Sequence, residues 1–174
     1  MNKLYLKFPT MEDKQDVMDY KKEFIESGQR MSGVGGLDKF ETYEEWLAKI
    51  YSDTSEDTCG ENRVPSILYL TYTKEDNKLV GMIQIRLSLN EYLFNYGGNI
   101  GDSIKPTEQR KGYGTEQISL ALGKCKELGI DKVLITCAKN NIASAKTIIK
   151  NNGCLENEIT DKDSTIFQRY WIDL

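Results

Sequence analysis

The residues best suited to do chemistry lie in a turn from Gln109 to Thr115, where Gly112 and Gly114 are separated by one residue. The turn follows a short strand-like run and opens a long amphipathic segment. A helix start carries unpaired N–H donors and partial positive charge, so it can receive a phosphate or a pyrophosphate. The tripeptide Gln109-Arg110-Lys111 adds side-chain donors at the same place. We therefore expect a cradle for the pyrophosphate of a phosphate-bearing cofactor.

Two familiar nucleotide-binding patterns do not fit this turn. A dinucleotide-binding G-x-G-x-x-G sequence needs a third glycine, and position 117 is Gln117. A P-loop needs Gly-Lys-Ser or Gly-Lys-Thr, which occurs nowhere in the chain. ATP in the same turn stays as a weaker alternative.

Histidine is absent from all 174 residues. This removes Ser-His-Asp catalysis, Cys-His catalysis and every histidine-ligated metal site. The cysteines are widely spaced, form no metal-binding pattern and are expected to be reduced thiols. They are Cys59, Cys125, Cys137 and Cys154. We expect no metal in the site.

Length, net charge and hydropathy exclude several further classes of protein. The length predicts one domain spanning 1–174, with an ordinary soluble composition. A net charge of −4 argues against general nucleic-acid binding. No apolar run reaches the length of a membrane span and the N-terminus lacks a signal-peptide core, so a cytoplasmic protein without membrane contact is expected.

Apolar periodicity predicts the elements that must position the turn. The predicted strands lie around Leu4 to Phe8 and at Ser66–Thr73, Leu79–Leu89, Asn99–Ile104, Lys132–Cys137 and Ile166–Ile172. The predicted helices run from about Thr10 to Gly28, from Thr42 to Tyr51, from the turn to Leu128, and from Ala143 to Asn152. Whether one or two short strands form between Cys154 and Thr160 is left undecided. The alternation of Tyr92, Phe94 and Tyr96 suits an extended segment. This order predicts an α/β (α+β) fold with a mixed, mostly antiparallel sheet flanked by helices.

The segment from Asn99 to Cys154 resembles the Gcn5-related N-acetyltransferase (GNAT) superfamily. Its signature, Gln/Arg-x-x-Gly-x-Gly/Ala, is matched by the run from Gln109 to Gly114. In that family the signature follows a strand ending in an aliphatic residue, here Ile104, and opens a helix. The next strand is followed by an asparagine-bearing helix, and Asn141 fits that place.

The resemblance implies a GNAT-like acyl-CoA N-acyltransferase fold and acetyl-CoA as acyl donor. The backbone of Gln109, Arg110, Lys111, Gly112, Tyr113, Gly114 and Thr115 would hold the pyrophosphate. The strand backbone at Ser103 and Ile104 would pair with the pantetheine arm and polarise the thioester. Asn141 would contact the pantetheine, with Ser144 nearby.

The usual catalytic side chains of the family are not in their usual places. The tyrosine of the last helix corresponds to Ile148 or Ile149, and the strand glutamate corresponds to Gly98. The remaining carboxylates near the site are Glu91, past the long hairpin arm, and Asp102, on the strand itself. Either one, or a chain of water molecules, would take the proton of the amine, although an ordinary solvated acid is the plainer interpretation of Glu91.

The resulting hypothesis is an N-acetyltransferase that acts by direct transfer on the primary amine of a small molecule or peptide. A non-catalytic acyl-CoA-binding module of the same fold is the alternative. Residues 1–65 are expected to shape the acceptor site and residues 66–174 to form the sheet and the CoA-binding core. The acids between Glu41 and Glu61 favour a solvated face, or alternatively a cationic acceptor. The acceptor, the length of the acyl chain and the choice between monomer and homodimer stay open.

Overall fold

Residues 3–174 are described by a computed structural model, and their elements follow the predicted order. The strands are β1 (Leu4–Lys7), β2 (Ser66–Thr73), β3 (Leu79–Arg86), β4 (Ile100–Ile104), β5 (Lys132–Ala138), β6 (Cys154–Thr160) and β7 (Ile166–Asp173). The α-helices are α1 (Lys14–Ser27), α2 (Tyr43–Ser52), α3 (Tyr113–Glu127) and α4 (Ile142–Lys150). The stretch that the sequence left open forms one strand, β6.

The strands form two sheets, one in the order β1-β2-β3-β4 and one in the order β5-β7-β6. Every neighbouring pair within each sheet is antiparallel. The predicted fold class, a mostly antiparallel sheet flanked by helices, is confirmed. The structure adds that β4 and β5 do not form a continuous ladder, so a gap separates the two sheets.

Asn99 joins the two sheets at the closed end of this gap. Its backbone N–H donates to Leu134 O (2.7 Å), and its side-chain Oδ1 accepts from Leu134 N (2.9 Å). Its C=O accepts from Arg86 N (2.7 Å), and its Nδ2 donates to Arg86 O (3.1 Å). Since Asn99 is buried, these four bonds satisfy all its polar groups and continue the ladder by one residue.

Two apolar cores hold the first sheet from opposite faces. Helices α1 and α2 pack on one face through Tyr20, Phe24, Trp46 and Ile50. The other face packs against α3, and the same core includes β5, β7 and Ile148 of α4. The helices therefore fix the first sheet on both sides, while α3 and α4 bring the second sheet beside it.

The connection between β3 and β4 differs from the prediction. Strand β3 ends at Arg86 rather than Leu89, because Leu87 N donates to Pro65 O (2.8 Å) instead of continuing the ladder. Residues 91–97 then form a short helix with a π-helical turn, in which Gly98 N donates to Leu93 O (2.6 Å). The prediction of an extended segment there is wrong. The aromatic spacing fits a helix instead, with the rings of Tyr92 and Tyr96 5.8 Å apart.

All four cysteines are free, with Cys59, Cys125 and Cys137 buried and Cys154 exposed. Within residues 3–174, no helix is both long enough and apolar enough to cross a membrane.

Candidate active site

The turn before α3 presents a row of unused backbone donors. Arg110 and Gly112 both have positive φ, at 63° and 86°, and Gly112 is the N-cap of α3. Such alternation turns successive N–H groups into one concave surface that suits an anion. Within residues 3–174, no acceptor lies within hydrogen-bond distance of the N–H groups of residues 110–115. The predicted cradle therefore has the geometry and the free donors that a pyrophosphate needs.

The side chains of the turn are used differently from the sequence prediction. Lys111 Nζ pairs with Glu108 Oε2 (2.8 Å), and Lys78 pairs with the other carboxylate oxygen of Glu108. Burial of Glu108 opposes its ionisation, yet hydrogen bonds from the two lysines hold the pKa of this carboxyl below its usual value. Lys111 therefore anchors the turn through Glu108 rather than standing free.

Gln109 likewise ties the turn to its surroundings. Its Nε2 donates to Gln29 Oε1 (2.8 Å), in the loop between α1 and α2, and to Ile104 O (3.1 Å), at the end of β4. Both side-chain donors are thus used within the protein. Arg110 stays exposed beside the turn.

Strand β4 presents alternate backbone groups to the gap. A backbone hydrogen bond closes each end of the ladder between β3 and β4. Arg86 N donates to Asn99 O at one end, and Lys105 N donates to Val80 O (2.8 Å) at the other. Because antiparallel pairs alternate, residues 101 and 103 bond to β3, while residues 100, 102 and 104 turn their N–H and C=O groups away from it. This open edge can pair with an extended ligand as an added strand would.

The backbone groups of Ser103 and Ile104 therefore point in opposite directions, so only Ile104 lies on the open edge. The backbone of Ser103 faces β3, and its Oγ is held between the Tyr20 hydroxyl, which donates to it (2.9 Å), and Ser32 O (2.6 Å). Among residues 3–174, the N–H of Ile104 on the open edge has no hydrogen-bond partner. Asp102, rather than Ser103, shares that edge with Ile104.

Asp102 lies at the centre of this edge with its side chain on the α3 face. Burial raises the pKa of its carboxyl to about 6, although a hydrogen bond with Gln117 lowers it in part. Gln117 is fully buried, and its Nε2 donates to Met82 O (3.3 Å) while its Oε1 has no partner among the described residues. A carboxyl with a pKa near neutrality beside a gap between sheets has the properties of a general base.

Helix α4 borders the same gap from the side of β5. Asn141 is its N-cap, and Asn141 Oδ1 accepts from Ser144 N (3.1 Å), which leaves Asn141 Nδ2 free among the described residues. A Cβ placed on Gly114 would lie 3.7 Å from Ile104 and 3.9 Å from Thr147, so the turn, β4 and α4 meet there. The turn, Ile104 and α4 are thus neighbours, whereas Ser103 faces away from them.

The two positions where catalytic side chains were expected are explained by packing. Ile148 is fully buried in the core, whereas Ile149 points to solvent with 55% exposure. At Gly98 a Cβ would lie 2.5 Å from Leu134 O, so a glutamate does not fit beside the Asn99 junction. Glu91 is exposed at the start of the short helix at residues 91–97.

Several residues of the site carry no signal in the sequence. Tyr20 reaches Ser103 from 83 residues away, and Gln117 comes close to Gly81, where a Cβ would lie 2.1 Å from its Oε1. Gly33 contacts Gly101 so closely that its Cβ would lie 1.9 Å from Gly101 O. A buried glutamine on the apolar face of a predicted helix, as at position 117, is the one anomaly that the sequence pattern displays.

Comparisons with known proteins agree with this geometry. The family model for the acetyltransferase (GNAT) domain matches residues 4–154. No curated protein sequence matches the chain.

Solved structures of acetyltransferases share the fold. A RimL ribosomal L7/L12 alpha-N-protein acetyltransferase in complex with coenzyme A has a TM-score of 0.73 at 14% identity, covering 100% of this chain and 96% of that one. The microcin C7 self-immunity acetyltransferase MccE, in complex with acetyl-CoA and AMP, has a TM-score of 0.72 at 15% identity, covering 100% and 94%. An acetyl transferase from Salmonella typhimurium that modifies the N-terminal serine of ribosomal protein L7/L12 has a TM-score of 0.69 at 16% identity, covering 100% and 96%. At these identities the likeness is one of fold.

Proposed function

The chain belongs to the GNAT acetyltransferase family and is an acetyl-CoA-dependent acyltransferase, and from this premise we propose that it acetylates a primary amine of a small molecule or a peptide by direct transfer. The observation that carries the proposal is the continuity of one ligand path. The open edge of β4 ends at Ile104, which lies beside Gly114 in the turn whose N–H groups at residues 110–115 are unpaired among the described residues, and Thr147 of α4 borders the same glycine.

The residues along this path fit acetyl-CoA as the donor, which supplies an acetyl group activated as a thioester. The N–H groups of residues 110–115 would hold the pyrophosphate, with Arg110 beside them. The backbone of Asp102 and Ile104 would hold the pantetheine arm, and Asn141 Nδ2 and Ser144 would contact it from α4. Backbone donors on β4 also polarise a carbonyl at low cost, because the sheet already fixes their direction.

We propose Asp102 as the group that takes the proton of the amine. It lies on the strand that faces the gap, and its pKa of about 6 leaves it ionised and still basic near neutral pH. Glu91 is exposed to solvent on the short helix, which favours the interpretation of an ordinary surface acid. Positions 148 and 149 are isoleucines, which have no proton to give to the departing thiolate. The thiolate would therefore take its proton from water.

The names of two structural neighbours describe different roles. The Salmonella typhimurium protein modifies an N-terminal serine of a ribosomal protein, and MccE confers self-immunity to a microcin. These names support an amine acceptor and leave both small molecules and peptides as candidates here. The loop between α1 and α2 contacts β4 at Gly101 and Ser103, which supports the proposal that the first 65 residues shape the acceptor site.

The experiment is an acetyl-transfer assay. The purified protein is mixed with acetyl-CoA and a panel of amines and peptides, while free thiol and the mass of each amine are followed. Release of thiol with acetylation of one class of amine is the expected result. Binding of CoA without transfer to any amine would instead favour the acyl-CoA-binding module, and absence of CoA binding would contradict the site itself.

A further inference from the structure

A polar cavity of about 210 Å³ lies where the β2–β3 hairpin meets the short helix at residues 91–97. Arg86 and the side chains near it define the cavity: Arg63, Ser66, Gln84, Asn90 and Tyr92. No carboxylate is among its lining residues in the part of the chain that the structure describes. Two guanidinium groups, amides, a hydroxyl and a phenol make a donor-rich lining that suits an anion.

Arg86 is the central group of this cavity. Its Nη1 donates to Gly97 O and Gly98 O, both at 2.9 Å. Its Nε and Nη2 make no hydrogen bond with residues 3–174, and no carboxylate there comes within ion-pair distance. Burial lowers the pKa of Arg86, yet a guanidinium stays charged at neutral pH, so a cation without an anionic partner faces the cavity.

The other lining groups leave donors available as well. Ser66 Oγ accepts from Gln84 Nε2 (2.8 Å), which leaves the Ser66 hydroxyl proton free to point into the cavity. Arg63 contacts its nearest carboxylate, Asp53 Oδ2, only at 3.5 Å, and Lys49 already pairs with that oxygen. The half-buried Arg86 thus keeps Nε and Nη2 as donors that an anion in the cavity can accept.

This cavity lies one residue away from the proposed acetyl-transfer path. A Cβ on Gly101 would lie 3.0 Å from Arg86 Nη2. The next residue, Asp102, has its Cα about 3.8 Å further along the chain, with its backbone on the open edge and its side chain on the opposite, α3 face of the strand. Gly33 packs directly on Gly101 beside this position, since the same Cβ on Gly101 would lie 3.3 Å from Gly33 Cα.

We propose that Arg86 binds a carboxylate of the acceptor, and that the substrate of this protein is therefore an amine with a carboxylate a few atoms away. The inference rests on the proposed acetyl transfer and names the class of its acceptor. The planar fork of Arg86, with Nε and Nη2 free, matches the two oxygens of a carboxylate. The hydrogen bonds to Gly97 and Gly98 hold the fork in place through Nη1 alone.

The first test compares acceptors on the unaltered protein. Each of the twenty common L-amino acids is offered beside its carboxamide, with acetyl-CoA as donor and thiol release as readout. We expect kcat/KM to favour at least one free acid over its amide by about tenfold to a hundredfold, the range for one charged hydrogen-bonded pair. Solution reactivity runs the other way, because a neighbouring carboxylate stabilises the protonated amine.

The second test removes the guanidinium. Arg86→Gln should lower kcat/KM for the acid by about tenfold to a hundredfold, mainly through KM, with little change for the amide. Arg86→Lys keeps the charge without the fork and should lose less. Lys74→Gln, which removes one positive charge from the exposed β2–β3 turn, is the matched control and should match the unaltered protein. Binding of acetyl-CoA and the melting temperature show whether each variant is folded.

Failure of this inference is distinguishable from failure of the proposed function. If acetyl-CoA binds but the protein acetylates only amines without a carboxylate, or none of the panel, the carboxylate site is wrong. Equal losses for acid and amide in Arg86→Gln would also overturn it. If Arg86→Gln does not fold, Arg86→Lys and the acid-to-amide comparison decide. A protein that binds no acetyl-CoA would instead overturn the proposed function.

Discussion

At the scale of single residues, the site combines unused backbone donors with one carboxyl of raised pKa. Asp102 is the described carboxyl that shares the open edge of β4, and its environment differs from that of the exposed Glu91. Burial makes the ionised form of Asp102 costly, so its basicity is obtained at the expense of stability. Activity and stability should therefore respond in opposite directions when it is replaced.

The first prediction concerns Asp102→Asn. Loss of the base should reduce kcat by about a hundredfold or more, the usual contribution of a positioned general base. The same change should raise the melting temperature at pH 7, because a neutral amide replaces a buried charge. Steady-state kinetics and thermal unfolding measure the two effects. Glu91→Gln is the control and should keep its activity. An equal loss of activity in Glu91→Gln would contradict the assignment of the proton transfer to Asp102.

The second prediction is the pH dependence that follows from the same group. A pKa raised from 3.8 to about 6 means that the folded state binds a proton more tightly than the unfolded chain. The contribution of Asp102 to the free energy of unfolding is therefore greatest at low pH and falls as the pH rises from about 4 to about 6, by up to about 3 kcal/mol. Activity should instead fall below about pH 6, where Asp102 becomes protonated. Because kcat/KM also falls as the free amine is protonated, the profile is compared with that of Asp102→Asn, and the absence of any additional fall below about pH 6 in the unaltered protein would contradict the assignment.

At the scale of elements, the gap exists because few hydrogen bonds join β4 to β5. A continuous sheet would use the edge of β4 for hydrogen bonds to β5, whereas the four bonds of Asn99 stop the pairing after one residue. Gly98 next to it has a φ of 66°, which redirects the chain at this point. The open edge is thus produced by two residues at one end of a five-residue strand.

The third prediction tests this junction. Asn99→Ala removes the side-chain bonds to Leu134 N and Arg86 O and leaves both groups buried without partners. We expect a loss of about 2–4 kcal/mol in the free energy of unfolding. Chemical denaturation measures this loss, with Asn140→Ala, at an exposed position, as the control. A change below about 0.5 kcal/mol, the usual effect of surface substitutions, would show that Asn99 does not join the sheets.

Sequence patterns predict most elements because most helices and strands here have a regular apolar face, whereas the largely exposed β6 has none and stays undecided from the sequence alone. The segment at residues 90–98 is the exception, since alternating aromatic residues also fit the two rows of a short helix, and the hydrogen bond from Leu93 N to Asn90 Oδ1 selects the helix. Local periodicity also does not report contacts across the sheet. Tyr20 on Ser103, Gln117 beside Asp102 and Arg86 below Gly101 therefore required the structure.

At the scale of the whole molecule, the two sheets, α3 and α4 form one cleft whose walls come from distant parts of the chain. The cofactor end was predictable because the turn, its flanking strand and Asn141 lie within about forty residues of each other in sequence. The proposed acceptor end was predicted only as residues 1–65, because the β2–β3 hairpin and the short helix at residues 91–97 come close to the α1–α2 loop only in the folded chain. The proposed carboxylate site at Arg86 would give this end a chemical identity.

The most direct measurement is a calorimetric titration of acetyl-CoA into the unaltered protein, Gly112→Pro and Gly129→Pro. Both glycines have positive φ with open space around them, at opposite ends of α3, so proline strains the backbone at either position. Gly129→Pro also removes the hydrogen bond from Gly129 N to Lys126 O, so it is the more demanding control for the stability of the helix. Only Gly112→Pro removes an N–H from the proposed pyrophosphate cradle. We predict saturable binding to the unaltered protein, retained binding to Gly129→Pro and at least about tenfold weaker binding to Gly112→Pro, from the loss of one charge-assisted hydrogen bond and the turn that presents it. Equal affinities for Gly112→Pro and Gly129→Pro, or no binding to the unaltered protein, would contradict the account.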